Sequence, residues 1–307
     1  MTFQEELLEK ARTCPRRILF PEAEDERIVE AAARLVDLGV AIPVMPDLAT
    51  IPAERLEVYV ERLAMRRKKM TAGMARRLLD RPLYLAAAML AAGDGDVLVA
   101  GAANPTRRVI EAGMMTVGLA EGIEIPSSYF LLLPPASSPR AGKPLVLADC
   151  AVNIEPDAHA LAAIALASAA TAARLLDDPP RVAFLSFSTH GSAAHASIEK
   201  ITDALERVRE SAPGLMVDGE LQGDTALSQT IAERKIRRPS DVAGRANVLI
   251  FPDLASGNIA YKLLQEIGGA RAIGPFLQGF ARPICDLSRG ATVEDIVMAA
   301  IISGLQV

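Results

Sequence analysis

The sequence predicts an α/β fold with largely parallel sheets, and three observations carry that expectation. Short runs of β-branched and aliphatic residues alternate with helical periods, the pattern of strand–helix–strand crossover units. Each run closes in a loop bearing Gly, Ser or Asp, where parallel sheets gather ligands at their carboxyl ends. Half of the 307 residues are hydrophobic while aromatics make up 4%, with no Trp, so Ala, Leu, Val and Ile must fill a sizeable core.

Six segments repeat that plan along the chain. "RILFPEAEDERIVEAAARLVDLG" reads strand, acidic turn, helix, and "DVLVAGAANPTRRVIEAG" does the same. "PLVLADCAVN", "RVAFLSFSTHGSAAH", "GLMVDGELQGDTAL" and "NVLIFPDLASGNIAYKLLQ" follow. The apolar run 160–176 is mostly Ala, Ser and Thr and opens on Pro156 and Asp157, which suits a buried or interface helix rather than a membrane span. "LLPPASSPRAGKP" (132–144), rich in Pro and Ser, separates two α/β stretches and marks an expected domain boundary. Domains are therefore expected at 1–138 with 280–307, and at 139–279.

Composition narrows the function classes. The formal net charge of −5 argues against a general nucleic-acid binder. Three cysteines, Cys14, Cys150 and Cys285, stand far apart with no metal-binding spacing, which fits a reduced cytosolic compartment. The N-terminal stretch is acidic and amphipathic, unlike a signal peptide. The dinucleotide fingerprint, the P-loop pattern and the GxSxG elbow are all absent.

The loops hold the candidate chemistry, and each has a bland counterpart. "LSFSTHGSAAH" offers Ser186, Ser188, Thr189, Gly191 and Ser192 as an anion cradle, or only as a polar loop with an N-cap. Asp218, Glu220 and Asp224 could ligate Mg²⁺, but turn chemistry accounts for them more simply. The basic run "MRRKK" (65–69) is a solvated helix face or a phosphate contact. Arg107 and Arg108 open a helix after the Gly101 loop, a good position for an anion-binding Arg or a surface pair. "DLSRGATVEDIV" reads two ways. Thr292-x-x-Asp295 has the form of a capping box before an apolar helix. Equally, Asp295 is a candidate general base, with Ser288 and Arg289 as donors to an oxyanion or a phosphate.

These residues resemble the phosphate acetyltransferase and butyryltransferase family over nearly the whole chain, the acetyltransferase branch more closely. The resemblance runs through "FPEAEDERIVEAA", "ADCAVN", "VAFLSFSTHGSA", "DGELQGD", "VAGRANVLIFPDLASGNIAYK", "IGPFLQG" and "DLSRGATVEDIV". It implies two α/β domains, isocitrate/isopropylmalate dehydrogenase-like, with the second inserted in the first and a cleft between them. The implied reaction is acetyl-CoA plus phosphate giving acetyl phosphate plus CoA, by direct thiolate attack in a ternary complex. It also implies Asp295 as the base for the CoA thiol, Ser288 as donor to the carbonyl oxygen and Arg289 as phosphate ligand. Arg108, Arg66, Ser188, Thr189, Gly191, Ser192, Asn258, Tyr261 and Lys262 are implied for substrate and CoA binding. No metal and no permanently bound cofactor are expected, coenzyme A being a substrate. A cytoplasmic homodimer without nucleic-acid or membrane partners completes the expectation.

The chain departs from the family pattern at four places. Met65 and Glu111 stand where the pattern has arginines, with Arg66 and Arg108 close by. Cys285 replaces an Asn before "DLSRG", and His190 replaces the Lys of "STKGS". Two alternatives stay open at this point: a longer-chain (propionyl or butyryl) transferase, and a non-catalytic acyl-CoA sensor.

Overall fold

The computed structural model describes every residue except Met1 and Lys68, so Lys68 of the basic run lies outside the described residues. The chain divides into two units, one formed by 1–124 with 274–307 and the other by 125–273.

The first unit begins with α1 (Phe3–Thr13), β1 (Arg16–Leu19), α2 (Glu26–Asp37) and β2 (Ala41–Val44). It continues through α3 (Ala53–Arg66), α4 (Ala72–Leu79), α5 (Pro82–Ala92), β3 (Val97–Ala100) and α6 (Thr106–Thr116). The acidic turn expected after the first strand ends in Asp25, which caps α2 by accepting from the Arg27 N–H. One face of α2, Ile28, Ala31, Ala32 and Leu35, is buried, at the spacing a core-facing helix needs. All four residues of β3 are buried, as a central parallel strand requires.

The second unit contains β4 (Ser127–Leu133), β5 (Leu145–Ala148), α7 (Ala158–Leu175), β6 (Arg181–Leu185), α8 (Ala196–Ser211) and β7 (Met216–Leu221). It adds α9 (Gly223–Leu227), α10 (Gln229–Lys235), β8 (Val248–Ile250), α11 (Leu254–Glu266) and the start of β9 (Arg271–Gln278). Its strands follow the order β4-β5-β8-β6-β7. β4 runs antiparallel to β5, and the remaining pairs are parallel. α7, capped by Asp157, is long and apolar enough to cross a membrane by composition, yet 56% of that window is buried and it packs on α8, β5 and β8.

The chain then returns to the first unit with β10 (Ile284–Asp286) and α12 (Val293–Gly304). There the strand order is β2-β1-β3-β10-β9, with β10 parallel to β3 and antiparallel to β9. The last strand thus fills the interior of a sheet begun almost a full chain length earlier.

The boundaries differ from those expected. The Pro- and Ser-rich stretch is no linker: 134–144 is the loop of the β4–β5 antiparallel pair. Arg140 pins it within the second unit, donating to the carbonyls of Leu227 (3.0 Å) and Ala246 (2.9 Å). The chain crosses between units at 124/125 and again inside β9 at 273/274.

Candidate active site

In the first unit, the parallel ends of β3 and β10 place the loops that follow them side by side. Leu287 N–H donates to the Ala100 carbonyl, locking the start of one loop to the end of the other strand. Gly101 permits the approach. At φ +112 it adopts a backbone that L side chains rarely reach, and a Cβ there would lie 2.6 Å from Asp286 Oδ1 and from Leu287 N and O.

A buried carboxylate from the acidic turn shapes the first loop. Glu22 accepts from the backbone N–H groups of Gly101 (3.1 Å), Ala102 (2.8 Å), Ala103 (2.9 Å) and Asn104 (2.8 Å), and from Asn104 Nδ2 (2.7 Å). Arg27 reaches from α2 to the second loop, donating through Nη1 to the carbonyls of Arg289 (2.9 Å) and Ala291 (2.8 Å).

Ser288 and Arg289 sit on this second loop, and Asp295, the third residue the sequence singled out, lies in the first turn of α12 that follows it. Ser288 and Arg289 are exposed. Ser288 Oγ accepts weakly from Gly290 N–H at 3.3 Å, and its hydroxyl proton goes to no described residue. Arg289 extends its guanidinium into solvent without an ion pair among the described residues. Asp295, partly buried, forms the capping box of α12. Its Oδ2 accepts from Thr292 N–H (3.1 Å) and Thr292 Oγ (2.7 Å), while its own N–H donates to Thr292 Oγ (3.2 Å). The capping reading of the motif is therefore met in the structure.

Asp286, at the end of β10, is fully buried, and neither carboxylate oxygen has a hydrogen-bond partner among the described residues. Burial pushes its carboxyl up to about 7 and the nearby negative charge of Glu22 adds to this, while the Thr106 hydroxyl pulls the other way without reaching hydrogen-bond geometry. In the sequence Asp286 opens the block "DLSRGATVEDIV", which by itself points to no role for it.

The other candidates in this unit lie on α3 and α6, which pack together. Arg108 is about half exposed and paired with Glu111 at 3.0 Å, the very residue that occupies the family's arginine position. The Arg66 guanidinium lies over Gly118, where a Cβ would meet Nη2 at 1.7 Å.

In the second unit, the loop after β6 is an internal cradle. Ser188 is fully buried, and its Oγ donates to Glu220 Oε1 (2.8 Å), which also accepts from Gly191 N–H (2.7 Å). Ser192 Oγ lies 3.0 Å from Ser188 Oγ and accepts from Thr189 N–H at 3.1 Å. Thr189 Oγ1 accepts from Gln222 N–H at 3.0 Å. The anion this cradle holds is therefore the protein's own carboxylate. His190, at φ +46, sets Nε2 3.1 Å from Asp218 Oδ1. Burial works against ionising Asp218, but hydrogen bonds from Ser240 and the Gly219 N–H and the His190 ring outweigh it and hold the carboxyl below its usual range. Asp224 pairs with Lys235 at 2.8 Å, so the three acids of "DGELQGD" are spent separately. No group of His, Cys, Asp and Glu among the described residues could hold a metal ion.

On α11, Asn258 Nδ2 donates to the Cys150 carbonyl at 3.1 Å. Tyr261 is a core residue, stacked on Phe130 with ring centroids 4.1 Å apart. Lys262 lies exposed, its Nζ 5.2 Å from the centre of the Tyr261 ring. Beside them Asp149, missed by sequence reasoning, accepts from the N–H groups of Ala151 (3.0 Å), Val152 (3.2 Å) and Asn153 (2.9 Å). The only sequence signals for Glu22, Arg27 and Asp149 were the blocks "FPEAEDER" and "ADCAVN" in which they stand.

A family model described as phosphate acetyl/butaryl transferase matches residues 2–303. The chain belongs to that family. It is 43% identical to a phosphate acetyltransferase of Paracoccus denitrificans, with 97% of each chain covered. It is 38% identical to a phosphate acetyltransferase of Acetivibrio thermocellus, covering all of this chain and 98% of the relative. Among solved structures, a phosphotransacetylase from Streptococcus pyogenes superposes with a TM-score of 0.89 at 35% identity, with 98% of each chain covered. The α/β fold with mostly parallel strands is thus that of the family, and the chain is an acyltransferase.

Proposed function

We propose that the chain is a phosphate acetyltransferase that moves an acetyl group reversibly between CoA and inorganic phosphate. One observation carries the assignment to this site: Ser288 and Arg289 present unspent donors on a fixed loop, and the same loop leads into the carboxylate of Asp295 at the head of α12. A free thiol is mostly protonated at neutral pH, and the thiolate is the nucleophile. Asp295 takes the CoA thiol proton. The sulfur then attacks the carbonyl carbon of acetyl phosphate, and the Ser288 hydroxyl donates to the oxygen that gains charge. As the intermediate collapses, the C–S bond is kept, the bond from carbon to the phosphate oxygen breaks, and phosphate leaves against Arg289. The reverse direction uses the same groups.

Coenzyme A enters as a substrate. Arg66, Arg108 and Lys262, all exposed, supply positive charge for its phosphates. Ser192 and Asn258 offer polar contacts, while Ser188, Thr189 and Gly191 keep their loop in shape through Glu220 and Gln222. Tyr261 acts by supporting α11. We further infer a cytoplasmic homodimer, which sedimentation velocity tests directly.

The deciding experiment is phosphate-dependent release of CoA from acetyl-CoA by wild type and by Asp295→Asn. The amide keeps an oxygen to accept from Thr292 N–H, so the cap and the fold persist, but it cannot take a proton. The kcat is expected to fall about 100-fold or more. Full activity in this variant would return Asp295 to the role of a cap. CoA binding by wild type with no turnover would overturn the enzyme assignment. Propionyl- and butyryl-CoA in the same assay size the acyl pocket.

A further inference from the structure

Arg27 spends its whole hydrogen-bonding capacity inside the protein. A guanidinium has five N–H donors in a fixed planar fork. Nε donates to Asp25 Oδ1 (3.0 Å) and Nη2 to Asp25 Oδ2 (2.7 Å), a bidentate pair that sets the plane of the group. The second Nη2 donor meets the Ala102 carbonyl at 3.3 Å. Both Nη1 donors go to the carbonyls of Arg289 (2.9 Å) and Ala291 (2.8 Å). Asp25 is itself fixed by the helix it starts, its Oδ1 accepting from the Arg27 N–H at 3.0 Å. With no donor left over, Arg27 has nothing to offer a substrate phosphate.

The two carbonyls it grips bracket Gly290. That glycine lies between Ser288 and Arg289 on one side and the Thr292–Asp295 box on the other. The third carbonyl belongs to the loop that Glu22 holds through four backbone N–H groups. The acidic turn after β1 thus fixes both loops: one through a carboxylate that collects N–H groups, the other through a guanidinium that collects carbonyls.

Resting on the assignment of Ser288, Arg289 and Asp295 above, we propose that Arg27, oriented by Asp25, is a positioning residue for acyl transfer. It fixes the distance between the oxyanion and phosphate donors on one side of Gly290 and the base on the other. A lysine cannot replace it, because an ammonium is a point charge whose donors do not lie in the plane of two carbonyls and a carboxylate.

The test compares Arg27→Lys, Arg27→Ala and Arg34→Ala with wild type in the CoA-release assay. Arg34 pairs with Glu294 at 2.6 Å across the same two helices, α2 and α12, but touches neither loop, so its variant controls for helix packing alone. A misplaced reacting group costs about 100-fold in rate. We expect kcat to fall by about that factor in both Arg27 variants, with KM for acetyl-CoA and phosphate within about twofold and Arg34→Ala unchanged. Added guanidinium, far below denaturing concentration, is expected to restore part of the kcat of Arg27→Ala but not of Arg27→Lys, whose side chain occupies the space. Circular dichroism melts ensure that only folded enzyme is compared. Retention of kcat within about twofold in folded Arg27→Ala overturns the proposal, as does a rise in KM with kcat unchanged, which would make Arg27 a binding residue. Asp295→Asn separates the two levels. If it is inactive while Arg27→Ala is normal, only the positioning role falls; if it is fully active, the assignment of the base falls first.

Discussion

Two acids of one short stretch are treated in opposite ways by the fold. Asp295 is partly buried and hydrogen-bonded to its own helix start, whereas Asp286 is sealed in with no hydrogen-bond partner among the described residues. A carboxyl in water titrates near 4, and burial raises that of Asp286 to about 7. The folded state therefore binds this proton more tightly than the unfolded chain does. Its contribution to stability is fully present below about pH 4 and is lost as pH rises through about 7. Asp286→Asn removes that titration. The melting temperature of wild type is expected to fall relative to the variant between pH 5 and pH 8, and calorimetry across that range checks it. A gap that does not change with pH would mean that the carboxylate is paired after all. Ser288, Arg289 and Asp295 stood out as candidates in the sequence because donors and an acid crowd one local stretch. Glu22 and Arg27 were not, because their partners at 101–104, 289 and 291 are far away in sequence and are mostly backbone atoms, which carry no residue-type signal. Tyr261 misled for a related reason: its place in a family block does not distinguish a ligand contact from a ring stacked on Phe130.

At the scale of elements, strand-to-helix alternation was readable because a parallel sheet imposes it. What lies between the elements was read less well. The stretch 132–144 looked like a linker by composition, but Arg140 ties it to two carbonyls, and composition does not show where a long side chain finds its partners. The cap of α12 was visible in Thr292-x-x-Asp295, and it can be separated from the chemistry. Thr292→Ala is expected to cost about 1 kcal/mol in urea unfolding, with a loss of kcat as well, since the Asp295 carboxylate loses the Thr292 hydroxyl and keeps only the backbone N–H. A stability loss with no change in kcat would show that proton transfer does not depend on the box. Gly101→Ala probes the loop facing it. The added methyl meets Asp286 and the Leu287 backbone in a left-handed conformation, where strain alone costs about 1–3 kcal/mol. The expected outcome is lower stability together with lower kcat, because Leu287 must shift and Ser288 follows it.

For the whole chain, the order of segments decides what can fold. The second unit is one continuous stretch, 125–273, whereas the first is assembled from both ends of the chain. Its C-terminal part is no appendage. β10 lies between β3 and β9 in the strand order, and α12 packs on α2, β1 and β3 with every residue from Ile296 to Ser303 buried. Fully burying an aliphatic side chain is worth about 1.5–3 kcal/mol. Losing Ile284, Leu287, Ile296, Val297, Met298, Ile301 and Ile302 together therefore removes about 10–20 kcal/mol, as much as the roughly 5–15 kcal/mol that holds a typical domain folded or more. A chain ending at residue 279 is expected to lose the first unit entirely and to keep the second. Hydrogen exchange read by mass spectrometry distinguishes the outcomes: amides of β1 and β3 should exchange at once, while those of β5, β6 and β8 stay protected. Protection persisting in β1 and β3 would show that the first unit stands without its last strand and helix. Loss of protection in all five strands would mean that the two units fold only as one.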